Sequence, residues 1–226
     1  MSMEGERTKW MMLAGSIALL LVPGCRRDDP APVDLGYGYF PTRVGSWVEY
    51  QVDSSWLDEA FQQSGNISYR LLERIDSSYI DLGGRRAERI ERFVQDSLGN
   101  WIIRDIWTQT RNSVAAERTE EDRRFLKMIF PVRAGERWNL NAYNSQDDLE
   151  VGFGIADVPW SANGLSFDST AVVQSYYPNN PIDTIIYWER YAKHVGLVER
   201  IVDSSETQLS GTRGWYFRQV VVDHGP

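Results

Sequence analysis

From Tyr37 onward, apolar and polar residues alternate with a period of two, and β-branched and aromatic side chains are frequent. This is the pattern of half-buried strands. In residues 66–75, Ile67, Tyr69, Leu71 and Ile75 share one face. Residues 46–52 alternate in the same way. Residues 89–95 and 101–108 flank Asp96-Ser97-Leu98-Gly99-Asn100, and residues 184–193 and 197–202 flank His194-Val195-Gly196. Both read as hairpins, with Gly99 and Gly196 supplying the positive φ that such loops need. A last strand covers residues 214–222. Asp53-Ser54-Ser55, Asp76-Ser77-Ser78 and Val202-Asp203-Ser204-Ser205 read as strand stops, because their short polar side chains bond nearby backbone. Residues 56–63 and 117–125 predict short helices. The expected fold is mainly β: one antiparallel, curved or barrel-like sheet over residues 37–226, with one or two short helices.

A short motif occurs twice. Phe40-Pro41-Thr42-Arg43-Val44-Gly45 returns ninety residues later as Phe130-Pro131-Val132-Arg133-Ala134-Gly135. A tryptophan follows each copy, Trp47 and Trp138, one position out of register. Proline fixes φ before the turn and glycine closes it, so each copy should launch a strand. The expectation is two similar halves, by duplication or by independent use of a favoured turn, with Trp47 and Trp138 as core anchors.

The N-terminus follows a different pattern. Arg7 and Lys9 precede a twelve-residue apolar run, Met11 to Val22. A bilayer-spanning helix needs about 20 apolar residues, whereas a run of this length suits the core of a signal peptide. Val22-Pro23-Gly24-Cys25 resembles the lipobox of bacterial lipoproteins. That resemblance implies a signal peptide over residues 1–24 and Cys25 as the first mature residue, carrying diacylglycerol and an acyl chain such as palmitate. Two chains anchor a protein stably. Cys25 is the single cysteine of the chain, and a thiol consumed as an anchor needs no partner. Residues 25–36, polar and proline-containing, read as a flexible tether.

Composition narrows the function. The net charge is −8, which disfavours nucleic acid, whose phosphates select basic surfaces. Without disulfides, a mature chain of roughly 200 residues must rely on its core. The two histidines, His194 in a hairpin turn and His224 near a C-terminus expected to fray, read as surface residues. They assign no catalytic base and no zinc site. Glu120-Glu121-Asp122 and Asp147-Asp148-Glu150 lack calcium-loop spacing and read as solvated loop charge. No phosphate-cradling glycine loop is present. No catalytic residue, metal ligand or cofactor is therefore assigned. Eight of the nine tryptophans remain after processing, and Trp101, Trp107, Trp188 and Trp215 fall in predicted strands. Candidate ligand or partner contacts are Tyr176 and Tyr177, in an aromatic turn, and Trp160.

Three stretches carry a further resemblance. They are Tyr39-Phe40-Pro41 through Trp47-Val48-Glu49-Tyr50, Arg123 through Val132, and Tyr191-Ala192-Lys193-His194-Val195-Gly196-Leu197-Val198. They look like landmarks of a group of uncharacterised Bacteroidota lipoproteins. The resemblance implies a β-rich extracytoplasmic domain and no catalytic residue. The leading expectation is a noncatalytic envelope lipoprotein, on either face of the outer membrane, held by acylated Cys25 and binding an envelope partner or serving an assembly. One alternative is a carrier of lipid or another apolar ligand in a curved-sheet cavity, similar to LolA/LolB-type lipoproteins. The other is a carboxylate-dependent hydrolase. A cavity, a carboxylate pair in a cleft, or a filled core with an exposed patch would discriminate among them.

Overall fold

The computed structural model describes residues 32–176, 180 and 182–226. After a single 3-10 turn at Tyr37–Tyr39 come β1 (Trp47–Asp58), β2 (Gln63–Ile80), β3 (Arg86–Gln95) and β4 (Trp101–Arg111). β5 (Ala115–Glu120), β6 (Arg123–Ile129), β7 (Arg137–Asn139) and β8 (Glu150–Ala162) follow. β9 (Leu165–Ser175), β10 (Asp183–Ala192), β11 (Gly196–Gln208) and β12 (Gly211–Gly225) complete the chain. All twelve form one antiparallel sheet in the order β6-β5-β4-β3-β2-β1-β12-β11-β10-β9-β8-β7. Sequence neighbours therefore pair, except β6 with β7, the first strand also pairs with the last, and the sheet is a nearly closed barrel.

The seam falls between β6 and β7. There a backbone bond runs from Leu126 N to the Leu140 carbonyl (2.9 Å). Side chains cap other carbonyls of β6: Trp138 Nε1 donates to Leu126 O (2.7 Å) and Asn144 Nδ2 to Arg124 O (3.0 Å). Sealing the edge with side chains spares β6 an open strand edge that would recruit other chains.

Two large core clusters, beside a small one of Ile75, Ile90 and Trp107, fill the interior. One gathers Tyr39, Phe40, Met128, Phe130, Trp138, Phe153, Tyr187 and Tyr191. The other joins Val48, Tyr50, Val52 and Leu71 to Phe167, Val198 and Val221. Trp160 and Leu165, flanking the β8–β9 turn, pack against the second cluster. Asn163 in that turn donates to the Val221 carbonyl (2.8 Å).

The repeated motif has the same hydrogen bonds in both copies. Gly45 N donates to Ile75 O (2.8 Å) and Ile75 N to Ser46 O (2.9 Å); Gly135 N donates to Phe153 O (2.7 Å) and Phe153 N to Glu136 O (3.0 Å). Gly45 and Gly135 both have positive φ, 94° and 90°. The tryptophans nevertheless differ. Trp138 is buried against Phe153, at 4.8 Å between ring centroids. Counting from the glycines, its counterpart is Val48, not Trp47. Strand alternation sends Trp47 to the opposite face, where it is half-buried over Gly225; a Cβ on that glycine would meet the indole. Trp138 is a core anchor and Trp47 is not.

Other expectations are corrected as well. Residues 56–63 are the end of β1, a turn and the start of β2; residues 117–125 span β5 and β6. There are no helices among the described residues apart from the 3-10 turn. The three Asp-Ser stretches do not end strands; β1, β2 and β11 run through them. Their side chains reach across strands instead: Ser68 Oγ donates to Asp53 Oδ1 (2.7 Å) and Ser54 Oγ to the Tyr216 carbonyl (3.2 Å). His224 is not frayed but paired with Val48 in β12, its ring 5.6 Å from Phe167.

Candidate functional site

Charged side chains project into the barrel and meet across it. Lys127 of β6 places Nζ 2.9 Å from Glu120 Oε1, 2.9 Å from Glu189 Oε1 and 2.8 Å from the Tyr187 hydroxyl. Arg200 of β11 donates through Nε to Glu189 Oε1 (2.7 Å) and through Nη2 to Glu120 Oε1 (2.8 Å). Tyr191 donates its hydroxyl to Glu189 Oε2 (2.5 Å). Strands β5 and β6 lie far from β10 and β11 in the sheet order, so these pairs form only because the sheet curls until opposite walls face each other. A second group continues the network. Arg92 Nε donates to Glu73 Oε1 (2.9 Å), Arg92 Nη1 to Asp105 Oδ1 (2.9 Å), and Arg118 Nη1 to Glu73 Oε2 (3.3 Å). The Arg92 guanidinium lies 3.5 Å over the Trp107 ring.

The network is sealed. The side chains of Glu189 and Lys127 are 0% and 2% exposed. Burial alone would raise the Glu189 carboxyl, but Lys127 and Arg200 outweigh it and hold the group down at about 2, despite Glu120 nearby. Glu120 is likewise depressed: burial opposes its charge, and Arg200 and Lys127 restore it. Burial, then the adjacent Glu189, pushes the Tyr187 and Tyr191 hydroxyls well above their ordinary range. Every one of these shifts favours a fixed charge pattern. The space beside Tyr50, Glu73, Gln109 and Arg118 is about 40 Å³. That has room for water, not for a lipid, for which a pocket of roughly 300 Å³ or more is usual.

Exposed aromatic residues gather elsewhere. The distal halves of β1 and β2 and those of β11 and β12 extend past the packed core as a four-stranded arm, with the start of β10 alongside. Residues on both faces of the arm reach solvent. Trp56 and Trp215 stand directly opposite each other in the β1–β12 ladder, so they share a face. By alternation it is the face that carries Tyr50 and Val52 further in. Trp56 and Trp215 are 45% and 43% exposed. Trp56 lies across Gly65, where a Cβ would come within 2.7 Å of its Nε1. Trp215 Nε1 donates to Ser54 Oγ (2.9 Å), and its ring leans on Phe217 at 5.6 Å. An open groove of about 460 Å³ runs over this pair, with Asp58, Gln63, Glu206 and Arg213 along it.

The sequence-based candidates are not brought together. Trp160 stacks on Phe167 at 5.9 Å beneath the Arg190 guanidinium (5.0 Å). Tyr176 follows the far end of β9, with the Arg137 guanidinium 3.8 Å over its ring. Tyr177 and Cys25 lie outside the described residues. The acidic stretch at residues 120–122 is not simply solvated, since Glu120 belongs to the network and Glu121 accepts from Trp107 Nε1 (3.2 Å). Asp148 and Glu150 are hydrogen-bonded to Asn139 and Arg137 at the surface. No grouping of metal-ligating side chains occurs among the described residues, and none of their helices is long and apolar enough to cross a membrane. Sequence reasoning missed the buried network, although Glu73 has the same parity as Tyr69 and Leu71. It missed Trp56 because that residue was placed in a helix.

Two solved structures resemble the chain. One is a protein named as exported, with a YmcC-like fold, from Bacteroides fragilis NCTC 9343, with 13% identity and a TM-score of 0.34. The other is named as a lipoprotein, from Parabacteroides distasonis ATCC 8503, with 11% identity and a TM-score of 0.37. Each match covers 83% of this chain and 98% of the other. No family model and no curated protein matches the chain.

Proposed function

We propose that this chain is a noncatalytic lipoprotein of the cell envelope, anchored in the outer membrane through acylated Cys25, whose barrel presents its arm to a binding partner. The observation that carries this reading is the contrast between a sealed, charge-paired interior and an arm that leaves two tryptophans in solvent. A carrier would need an apolar hollow, and the small cavity beside Glu73 and Arg118 weighs against one.

The entry of the chain supports the same orientation. Lys193 binds Asp34 (3.0 Å) and Asp157 (3.2 Å), and Val132 N donates to the Leu35 carbonyl (3.0 Å). Hydrogen bonding to Asp34 is the main cause that raises Lys193 to about 12, so the clamp is charged at any physiological pH. Asp34 thus enters at the end where β1 starts and β12 finishes, opposite the arm.

Cells expressing wild-type and Cys25→Ala protein, grown with labelled fatty acid and fractionated, test the anchor. The wild type should carry label and pellet with membranes, and the variant should do neither. Equal label and equal pelleting in both would overturn the lipoprotein reading.

A further inference from the structure

We propose that the groove over Trp56 and Trp215 is a binding site for neutral oligosaccharides. This rests on the binding role proposed above and names its ligand class. Two half-exposed indoles, side by side on one sheet face, offer flat apolar surface to the C–H face of a pyranose ring. Carboxylates, an amide and a guanidinium border them at Asp58, Glu206, Gln63 and Arg213. These are the groups that pair with vicinal hydroxyls. The groove's volume of about 460 Å³ falls within the usual range for small-ligand sites.

The indoles are held before any ligand arrives. Gly65 leaves the space in which Trp56 lies flat, and Ser54 and Phe217 fix Trp215. A platform ordered in advance loses less entropy on binding. Arg213 touches Asp58 only at 3.7 Å and its side chain is 81% exposed, so it is free to turn toward a ligand.

Charge selects among candidates. Two carboxylates against one guanidinium leave the groove acidic, on a chain of net charge −8. Polyanionic glycans, phosphate esters and nucleic acids are therefore disfavoured. The polar border disfavours an acyl chain. A hydroxyl-rich ligand without negative charge satisfies both the walls and the floor.

Full-length protein in a detergent without sugar headgroups would be titrated with maltohexaose, cellohexaose, mannohexaose and chitohexaose, with alginate as the anionic comparison. Calorimetry and tryptophan fluorescence report binding. At least one neutral oligosaccharide should bind saturably, and alginate should not. Trp56→Ala and Trp215→Ala should each weaken binding by about tenfold or more, as the loss of a central aromatic contact does. Gly65→Ala should weaken it too, by displacing the Trp56 indole without removing it. Tyr143→Ala, on the exposed loop that joins β7 to β8, should leave it unchanged. No binding by any neutral oligosaccharide, wild-type binding by both tryptophan variants, or preference for alginate would each overturn the site. Membrane fractionation of the same protein reads the anchor separately, so failure of the site and failure of the lipoprotein reading are distinguishable.

Discussion

Strands β1, β2, β11 and β12 are each two things along their length. Toward the start of β1 they bury Tyr50, Val52, Leu71 and Arg200. Toward the turns at residues 59–62 and 209–210 they carry Trp56, Ile67 and Trp215 into water. The same ladders and the same alternation run through both halves. What changes is what lies opposite. In the inner half another wall of the barrel supplies partners, so even glutamate and arginine are buried. In the outer half no wall faces the sheet, so tryptophan stays exposed. Burial here is set by closure of the sheet, and the local residue pattern is read only through it.

The largest expected effect breaks the inner half. Glu189→Gln would leave Lys127 and Arg200 buried with one carboxylate fewer, which typically costs about 3–5 kcal/mol. Chemical denaturation should show a correspondingly lower midpoint. The sign with pH follows from the depressed carboxyl. Glu189 contributes its full stabilisation above its ordinary value of 4.5, and loses it as the pH falls through about 2 in the folded protein. Wild-type stability should therefore decline as the pH drops between these values, and the variant should decline less steeply. Matching slopes would remove Glu189 from the account.

Next in size is the pair of tryptophans that follow the repeated motif. Trp138→Ala should cost about 3–5 kcal/mol, as deletion of a buried aromatic does. Trp47→Ala should cost clearly less, since its indole lies half-exposed over Gly225. Equal losses in the two variants would mean that the register difference between the copies does not matter energetically. The smallest effect belongs to the arm. Trp56→Ala and Trp215→Ala should each shift stability by roughly 1 kcal/mol or less, near the usual range for surface positions. A large loss there would make the arm part of the core.

The hairpins were legible because alternation, turn residues and strand length agree at residues 89–108 and 184–202. The misreadings share a cause. Asp53-Ser54-Ser55 carries the residue types of a turn, yet Ser54 and Asp53 find partners on neighbouring strands, which no local pattern reveals. Trp56 reads as helical because residues 56–63 span a hairpin tip, where each strand contributes too few residues for alternation to show. Glu189 and Arg200 occupy inward parity in plain view, but a charge at such a position reads as an exception until its partner, sixty or eighty residues away, is known. Lys127–Glu189 and Arg200–Glu120 are separated by 62 and 80 residues. The groove shows the same limit. Trp215 was placed in a strand, while its neighbour across the ladder lies at the other end of the chain.

Pairing of the first strand with the last has a consequence for how the molecule is made. A chain that emerges N-terminus first can zip β1 to β6 hairpin by hairpin, but β1 keeps one edge open until β12 arrives. Glu120 and Lys127 wait as well, because Arg200 and Glu189, their partners across the barrel, come late. Non-local closure of this kind is slow, on the order of milliseconds to seconds. An unfinished copy therefore lacks the partners that Glu120 and Lys127 find across the barrel. It locks only when its own tail returns to its head.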